Sequence, residues 1–219
     1  MSVAADPAES AQAVIKQYVE DLTLALAELD LAAATDVLQV LIKALWSGRR
    51  VLVAGNGGSS TAAIHVAADL SAASAALDRP PQVLALTENI ARLTAIANDH
   101  SFEEVFSRQL PGRAGPGDVL LLLSVSGQSA NLVRAAETGR GLGMTVLAAL
   151  GHAGALATLA DRTVVLGQAD YGLTEDLHVA LGHMVVRALG GGEACRYQAT
   201  GHNGPAQADL MAQRVRRAR

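Results

Sequence analysis

The sequence predicts an α/β fold built on a parallel sheet with helices on both faces, and three observations support this. From residue 50 onward short apolar runs recur, VLVAG at 51, QVLAL at 82, DVLLLLS at 118, TVLAAL at 145 and TVVLG at 163, with helical patterns between them. The runs are continuous rather than alternating, as in strands covered on both sides. Several end in glycine or polar residues, and open α/β sheets bind their ligands at the carboxyl ends of strands.

The elements follow in order. Asp6-Pro7-Ala8-Glu9 has the chemistry of a helix start: an aspartate cap, proline at the first helical position and a glutamate three places after the cap. Ile15, Val19, Leu22, Leu26 and Leu29 keep a three-to-four spacing, and a second helix is expected from about Ala32 to Trp46. Two helices therefore precede the first strand. The segment from Gly190 through RYQATGHNGPAQ is glycine-rich and weakly patterned, and no secondary structure is expected there.

Composition bounds the function. A chain of 219 residues that is half apolar can bury one sizeable core, so a single domain is expected. A net charge of -4 and an aromatic content of 3% argue against a nucleic-acid surface. The basic end RVRRAR, with Arg214, Arg216, Arg217 and Arg219, reads as a solvated tail rather than a docking site for an acidic partner. The single cysteine, Cys195, excludes an intramolecular disulfide framework and fits a reducing compartment. MSVAADPAES lacks the features of a signal peptide, and no apolar run approaches the ~20 residues that span a bilayer. The expectation is a soluble cytoplasmic protein with neither membrane nor nucleic-acid partner.

Two loops and two helices carry the chemistry. GNGGSS, from Gly55, follows the first strand; it is neither the dinucleotide fingerprint nor a nucleotide P-loop, because it lacks the required spacing and the lysine. Ser124-Val125-Ser126-Gly127-Gln128-Ser129 lies between an apolar strand and a helix, and offers hydroxyls, backbone N–H groups and a helix dipole to a phosphate. Capping needs fewer than three serines in six residues, which favours anion binding. His65 and Asp69, four apart, share one helix face, as a metal site, a proton-transfer pair or a structural hydrogen bond would require. Far downstream, Glu175, Asp176, His178 and His183 begin another apolar helix. Dipole complementarity explains the acids there, but not His183 inside the apolar run.

Taken together these segments resemble the SIS-domain sugar-phosphate isomerases, specifically the phosphoheptose isomerases. The resemblance rests on GNGGS at 55, His65 and the acid at 69, DRPP at 78, LTAIAND at 93, EEVFSRQL, GDVL at 117, the serine loop at 124 and E-D-L-H-x-x-x-x-H at 175. It implies a flavodoxin-like sheet preceded by N-terminal helices, in one SIS domain over 1–219: helices over 1–49, an α/β core over 50–189 and an irregular extension over 190–219. It implies isomerisation of sedoheptulose 7-phosphate to D-glycero-D-manno-heptose 7-phosphate through an enediol, with Asp69 as base and His183 as acid. Substrate contacts carried over are Asn56, Gly57, Gly58, Ser59, Asp69, Asn98, Asp99, Ser124, Val125, Ser126, Ser129 and Glu175. Zinc ligands carried over are His65, Asp69, Glu175 and His183, with no nucleotide cofactor. The family is a homotetramer with active sites between subunits.

Several residues depart from the family pattern, which has glutamate at Asp69, glutamine at Glu175, glutamate at Asp176, threonine at Val125, asparagine at Gln128, and aspartate and glutamine at Ala62 and Ile64. The shorter Asp69 draws its carboxylate back by ~1.5 Å. Glu175 adds negative charge beside any bound cation. The same resemblance leaves two alternatives: isomerisation of a related seven- or eight-carbon sugar phosphate, or a non-catalytic sugar-phosphate sensor or replication-initiator-binding protein.

Overall fold

The computed structural model describes residues 7–75, 77 and 80–190. Asp6 of the expected helix cap, the Asp78-Arg79 part of DRPP, Cys195 and the arginine-rich end lie outside the described residues.

Two helices come first, α1 over Pro7–Ala27 and α2 over Leu31–Trp46. Asp30 starts α2 by accepting hydrogen bonds from the N–H groups of Ala32 and Ala33, which would otherwise be unpaired in the first turn. Then β1 (Val51–Gly55), α3 (Gly58–Ser74), β2 (Val83–Ala85), α4 (Ile90–Asp99), β3 (Val119–Ser124), α5 (Ala130–Gly141), β4 (Thr145–Leu150), α6 (Ala155–Leu159), β5 (Arg162–Val165) and α7 (Tyr171–Gly190) follow. All five expected strands are present. QVLAL contributes only three residues of strand, because β2 is an edge with one neighbour, and α6 is an addition to the expected elements.

The strands are all parallel, in the order β2-β1-β3-β4-β5, the flavodoxin-like order. The continuous apolar runs are explained by burial on both faces. Val51, Val53, Leu121, Leu123, Leu147 and Ala149 pack with α2, α3 and α7, while Leu52, Ala54, Leu120, Leu122, Val146 and Ala148 pack with α5, α6 and Phe106. The EEVFSRQL motif closes the second face. The buried Gln109 amide donates to the carbonyls of Leu86 and Val105, and Glu104 pairs with Arg108 and Arg134.

In α1 the helix is where the periodicity places it, but its apolar stripe is only partly covered: Leu22, and Leu29 just past the helix, pack half-buried against the core. Ile15 is 65% and Val19 56% exposed, and Leu26 is exposed too. The helix is tied to α7 through the Tyr18 hydroxyl, which donates to Asp176 at 2.6 Å, and just past its end Glu28 accepts from Gln168 in the turn before α7. The Asp176 bond, aided by burial, holds the Tyr18 phenol up at about 12.

Candidate active site

The strand order reverses direction between β1 and β3, so the connections from their carboxyl ends diverge and leave a crevice. A cleft of about 420 Å³ lies there. Asn56 after β1 and Asn131 in α5 exchange amide hydrogen bonds, both 2.9 Å, which lock the two loops together. Gly57 adopts φ 56 at the start of α3, a conformation that favours glycine, and no side chain caps the helix. Its first N–H groups remain available to an anion.

The serine loop forms the other wall. Ser124 Oγ accepts from Gly127 N at 3.1 Å and Ser126 Oγ from Gln128 N at 3.2 Å, while Ser129 precedes α5 without a side-chain capping bond. None of the three hydroxyls caps α5, so capping does not account for them. Asn56, Gly57, Gly58, Ser59, Ser124, Val125, Ser126, Ser129 and Glu175, nine of the residues expected to bind substrate, line the cleft. Tyr171 lines it as well, and sequence reasoning missed it. Among the described residues the lining includes no lysine, arginine or histidine. What these residues offer an anion is neutral donors and helix dipoles.

Further along the same helix pair a second group assembles. α3 and α7 run side by side in the same direction: Gly58 meets Glu175 near their starts, and Val66 meets Gly182 farther on. A Cβ on Gly182 would stand 2.7 Å from Val66 Cγ2, so this glycine permits the close approach. His65 and His183 therefore face each other across the pair, with Nε2 atoms 3.1 Å apart. Asp69 Oδ2 is 3.2 Å from the first Nε2 and 3.3 Å from the second. A tetrahedral zinc with ligands at ~2.0–2.1 Å spaces its donor atoms by about 3.3 Å, so this N,N,O triangle fits one face of such a site.

Glu175, expected as the fourth ligand, is not in that group. It lies inside α7, eight residues before His183, which is ~12 Å of helix rise, and it stands against Gly58. A side chain on Gly58 would overlap its carboxylate. Asn98 and Asp99 are not brought to the cleft either; they sit exposed at the end of α4, which follows the edge strand. Asp69 belongs to the triangle rather than to the cleft lining. His178, from the same histidine-bearing segment, is fully buried; Nε2 lies 3.0 Å from the Ala149 carbonyl, and burial pushes its pKa down to about 4. It is a neutral core residue.

Comparison with known proteins agrees with this fold. The SIS domain family matches residues 10–151. The phosphoheptose isomerase of Mycobacterium tuberculosis (strain CDC 1551 / Oshkosh) is 41% identical over 157 residues, 71% of this chain and 80% of that protein. The phosphoheptose isomerase of Aquifex aeolicus is 34% identical over 178 residues, 81% of this chain and 93% of that protein. Among solved structures, the phosphoheptose isomerase GmhA from Neisseria gonorrhoeae superposes with a TM-score of 0.74 at 27% identity, covering 84% of this chain and 99% of that one. A family match over residues 10–151, relatives at this identity and a matching fold lead to one conclusion: the chain belongs to the SIS-domain family of phosphoheptose isomerases.

Proposed function

We propose that the protein is an aldose–ketose isomerase acting on a long-chain sugar phosphate, namely sedoheptulose 7-phosphate giving D-glycero-D-manno-heptose 7-phosphate. The observation that carries this reading is that one helix pair, α3 and α7, both walls the cleft and gathers the donor atoms of His65, Asp69 and His183 within 3.3 Å of one another. Seven residues separate Gly58 at the cleft from His65, about 10 Å of helix. An extended seven-carbon chain with its phosphate ester is about as long, at ~1.5 Å per bond.

In this reading the serine loop, Asn56 and the start of α3 hold the phosphate. Asp69 removes a proton from the carbon beside the carbonyl, giving an enediol, and returns it to the adjacent carbon, while the hydroxyl and carbonyl oxygens exchange one proton. Oδ2 faces both imidazoles, which leaves Oδ1 as the basic atom. His183 donates to the oxygen that gains the proton. His65, Asp69 and His183 would hold a zinc ion, which would supply Lewis acidity toward the developing oxyanion in place of a proton from His183 Nε2. The hydrogen moves within one molecule, so neither a redox nor a nucleotide cofactor is needed.

The protein acts as a homotetramer with sites completed between subunits, in which Asn98 and Asp99 serve a neighbour's cleft and Glu175 meets the metal of another chain. The exposed part of the α1 stripe, Ile15, Val19 and Leu26, and the exposed end of α4 support this reading. We read the whole chain as one cytoplasmic SIS domain; among the described residues no helix is long and apolar enough to cross a membrane. The test is incubation of purified protein with six-, seven- and eight-carbon ketose phosphates while following the aldose. Selective conversion of sedoheptulose 7-phosphate is expected; conversion of none would overturn the isomerase reading.

A further inference from the structure

The first two turns of α7 face three ways. Tyr171 and Glu175, four residues apart, line the cleft, and the buried Leu173 and Thr174 anchor the same turns in the core. Gly172 and Asp176, each the next residue after a cleft residue and again four apart, form a third stripe, and both meet one side chain, Tyr18 of α1. The Tyr18 hydroxyl donates to Asp176 Oδ2 at 2.6 Å, and a Cβ on Gly172 would lie 3.6 Å from that hydroxyl and 3.7 Å from ring Cε2. Tyr18 is thus laid along the outer side of the helix start, beside the stripe that walls the cleft. The turn that leads into α7 is strained. Gln168 and Ala169 take φ 50 and 65 without being glycine, a conformation that persists only where its surroundings impose it, and Gln168 donates to Glu28 just past α1. Both hydrogen bonds therefore fall on the segment that places Glu175 against Gly58. With its pKa up at about 12, the Tyr18 phenol remains a donor at neutral pH.

We infer that Tyr18 is a positioning residue, which from α1 fixes the start of α7 and so sets the Glu175 wall of the cleft before a sugar phosphate arrives. The inference rests on the sugar-phosphate reading above and deepens it. Inorganic phosphate needs only the serine loop, Asn56 and the start of α3, whereas Tyr18 meets α7. A sugar phosphate must also pass Glu175 on its way to His65 and His183, so a loosened wall costs the longer ligand alone. The test is calorimetric binding of inorganic phosphate and of sedoheptulose 7-phosphate to wild type, Tyr18→Phe, Asp176→Ala, their combination and Asp176→Asn, all confirmed folded by melting temperature. Tyr18→Phe and Asp176→Ala should each weaken sedoheptulose 7-phosphate about three- to tenfold and leave inorganic phosphate within about twofold, and combining them should add nothing. Asp176→Asn keeps an acceptor oxygen for the hydroxyl and should stay within about twofold of wild type on both ligands. An unchanged sugar-phosphate affinity in Tyr18→Phe, an equal loss for both ligands, additive losses in the double variant, or an Asn variant as weak as Ala would each overturn it. Binding is read without turnover, so a wild type that binds the sugar phosphate but does not convert it sinks the isomerase reading alone. A wild type that binds the sugar phosphate no better than inorganic phosphate sinks the Tyr18 inference, because the wall then meets nothing.

Discussion

Gly182→Ala tests whether the crossing of α3 and α7 sets the geometry of the triangle. The added Cβ would lie 2.7 Å from Val66 Cγ2, whereas carbon atoms pack at ~3.5–4.0 Å, so the contact must open by about 1 Å. Val66 is buried and β-branched, and rotation offers little relief. Overpacking of this kind costs about 1–3 kcal/mol, and replacing a helical glycine by alanine returns about 1 kcal/mol, so the net stability loss should be about 0–2 kcal/mol. Activity should suffer more. His183 is the next residue along α7 and His65 precedes Val66 in α3, so the displacement falls on the two imidazoles, and an error near 1 Å can cost ~10²-fold in kcat/KM. The assay is kcat/KM beside the melting temperature, in Gly182→Ala alone and with Val66→Ala, which removes the clashing methyl. A Gly182→Ala protein with wild-type kcat/KM, or a double variant no better than the single one, would refute the argument.

Other outcomes are expected. Asp69→Asn should fold normally and lose turnover by roughly 10²–10⁴-fold, measured as kcat by aldose formation; retained turnover removes Asp69 from the base role. Ser126→Ala and Ser129→Ala should each weaken phosphate-ester binding by about 1.5–3 kcal/mol in calorimetry, and unchanged affinity in both would leave the loop without a phosphate role. His178 is neutral in the fold with its pKa near 4, against 6.5 when unfolded, so the unfolded chain binds the extra proton first. Its contribution is complete above about pH 6.5 and declines as pH falls to about 4, by about 3 kcal/mol in all. Urea titrations of wild type and His178→Leu across that window should show the slope only in wild type. Mixed oligomers of Glu175→Ala with His183→Gln, each inactive alone, should regain activity if the two residues serve one site from different chains; inactive mixtures verified by mass would refute the sharing.

The sheet was legible because burial on both faces leaves a simple mark: VLVAG and DVLLLLS are apolar without alternation, and each ends in the loop that builds the cleft. The His65–Asp69 pair was legible from its one-turn spacing, and the structure adds its meeting with His183, which depends on how closely two distant helices pass. Tyr171 was not legible, since a lone aromatic after a glycine-containing turn has no periodicity to mark it. The position of Glu175 was obscured differently: the resemblance tied it to a metal, while helix rise within one chain separates it from the other three donors. The stripe of α1 reads as core by spacing alone, and spacing cannot say whether its cover comes from the same chain.

A cleft whose described lining carries no cation also has consequences for encounter rates. Enzymes that handle anions commonly draw them in with a positive field, and added salt then slows capture. Here the lining is neutral among the described residues apart from the Glu175 carboxylate, and the chain carries a net charge of -4. An approaching phosphate dianion meets mild repulsion until it reaches the short-range donors of α3 and the serine loop. Capture should therefore be slower than steered association and should quicken, not slow, as ionic strength rises.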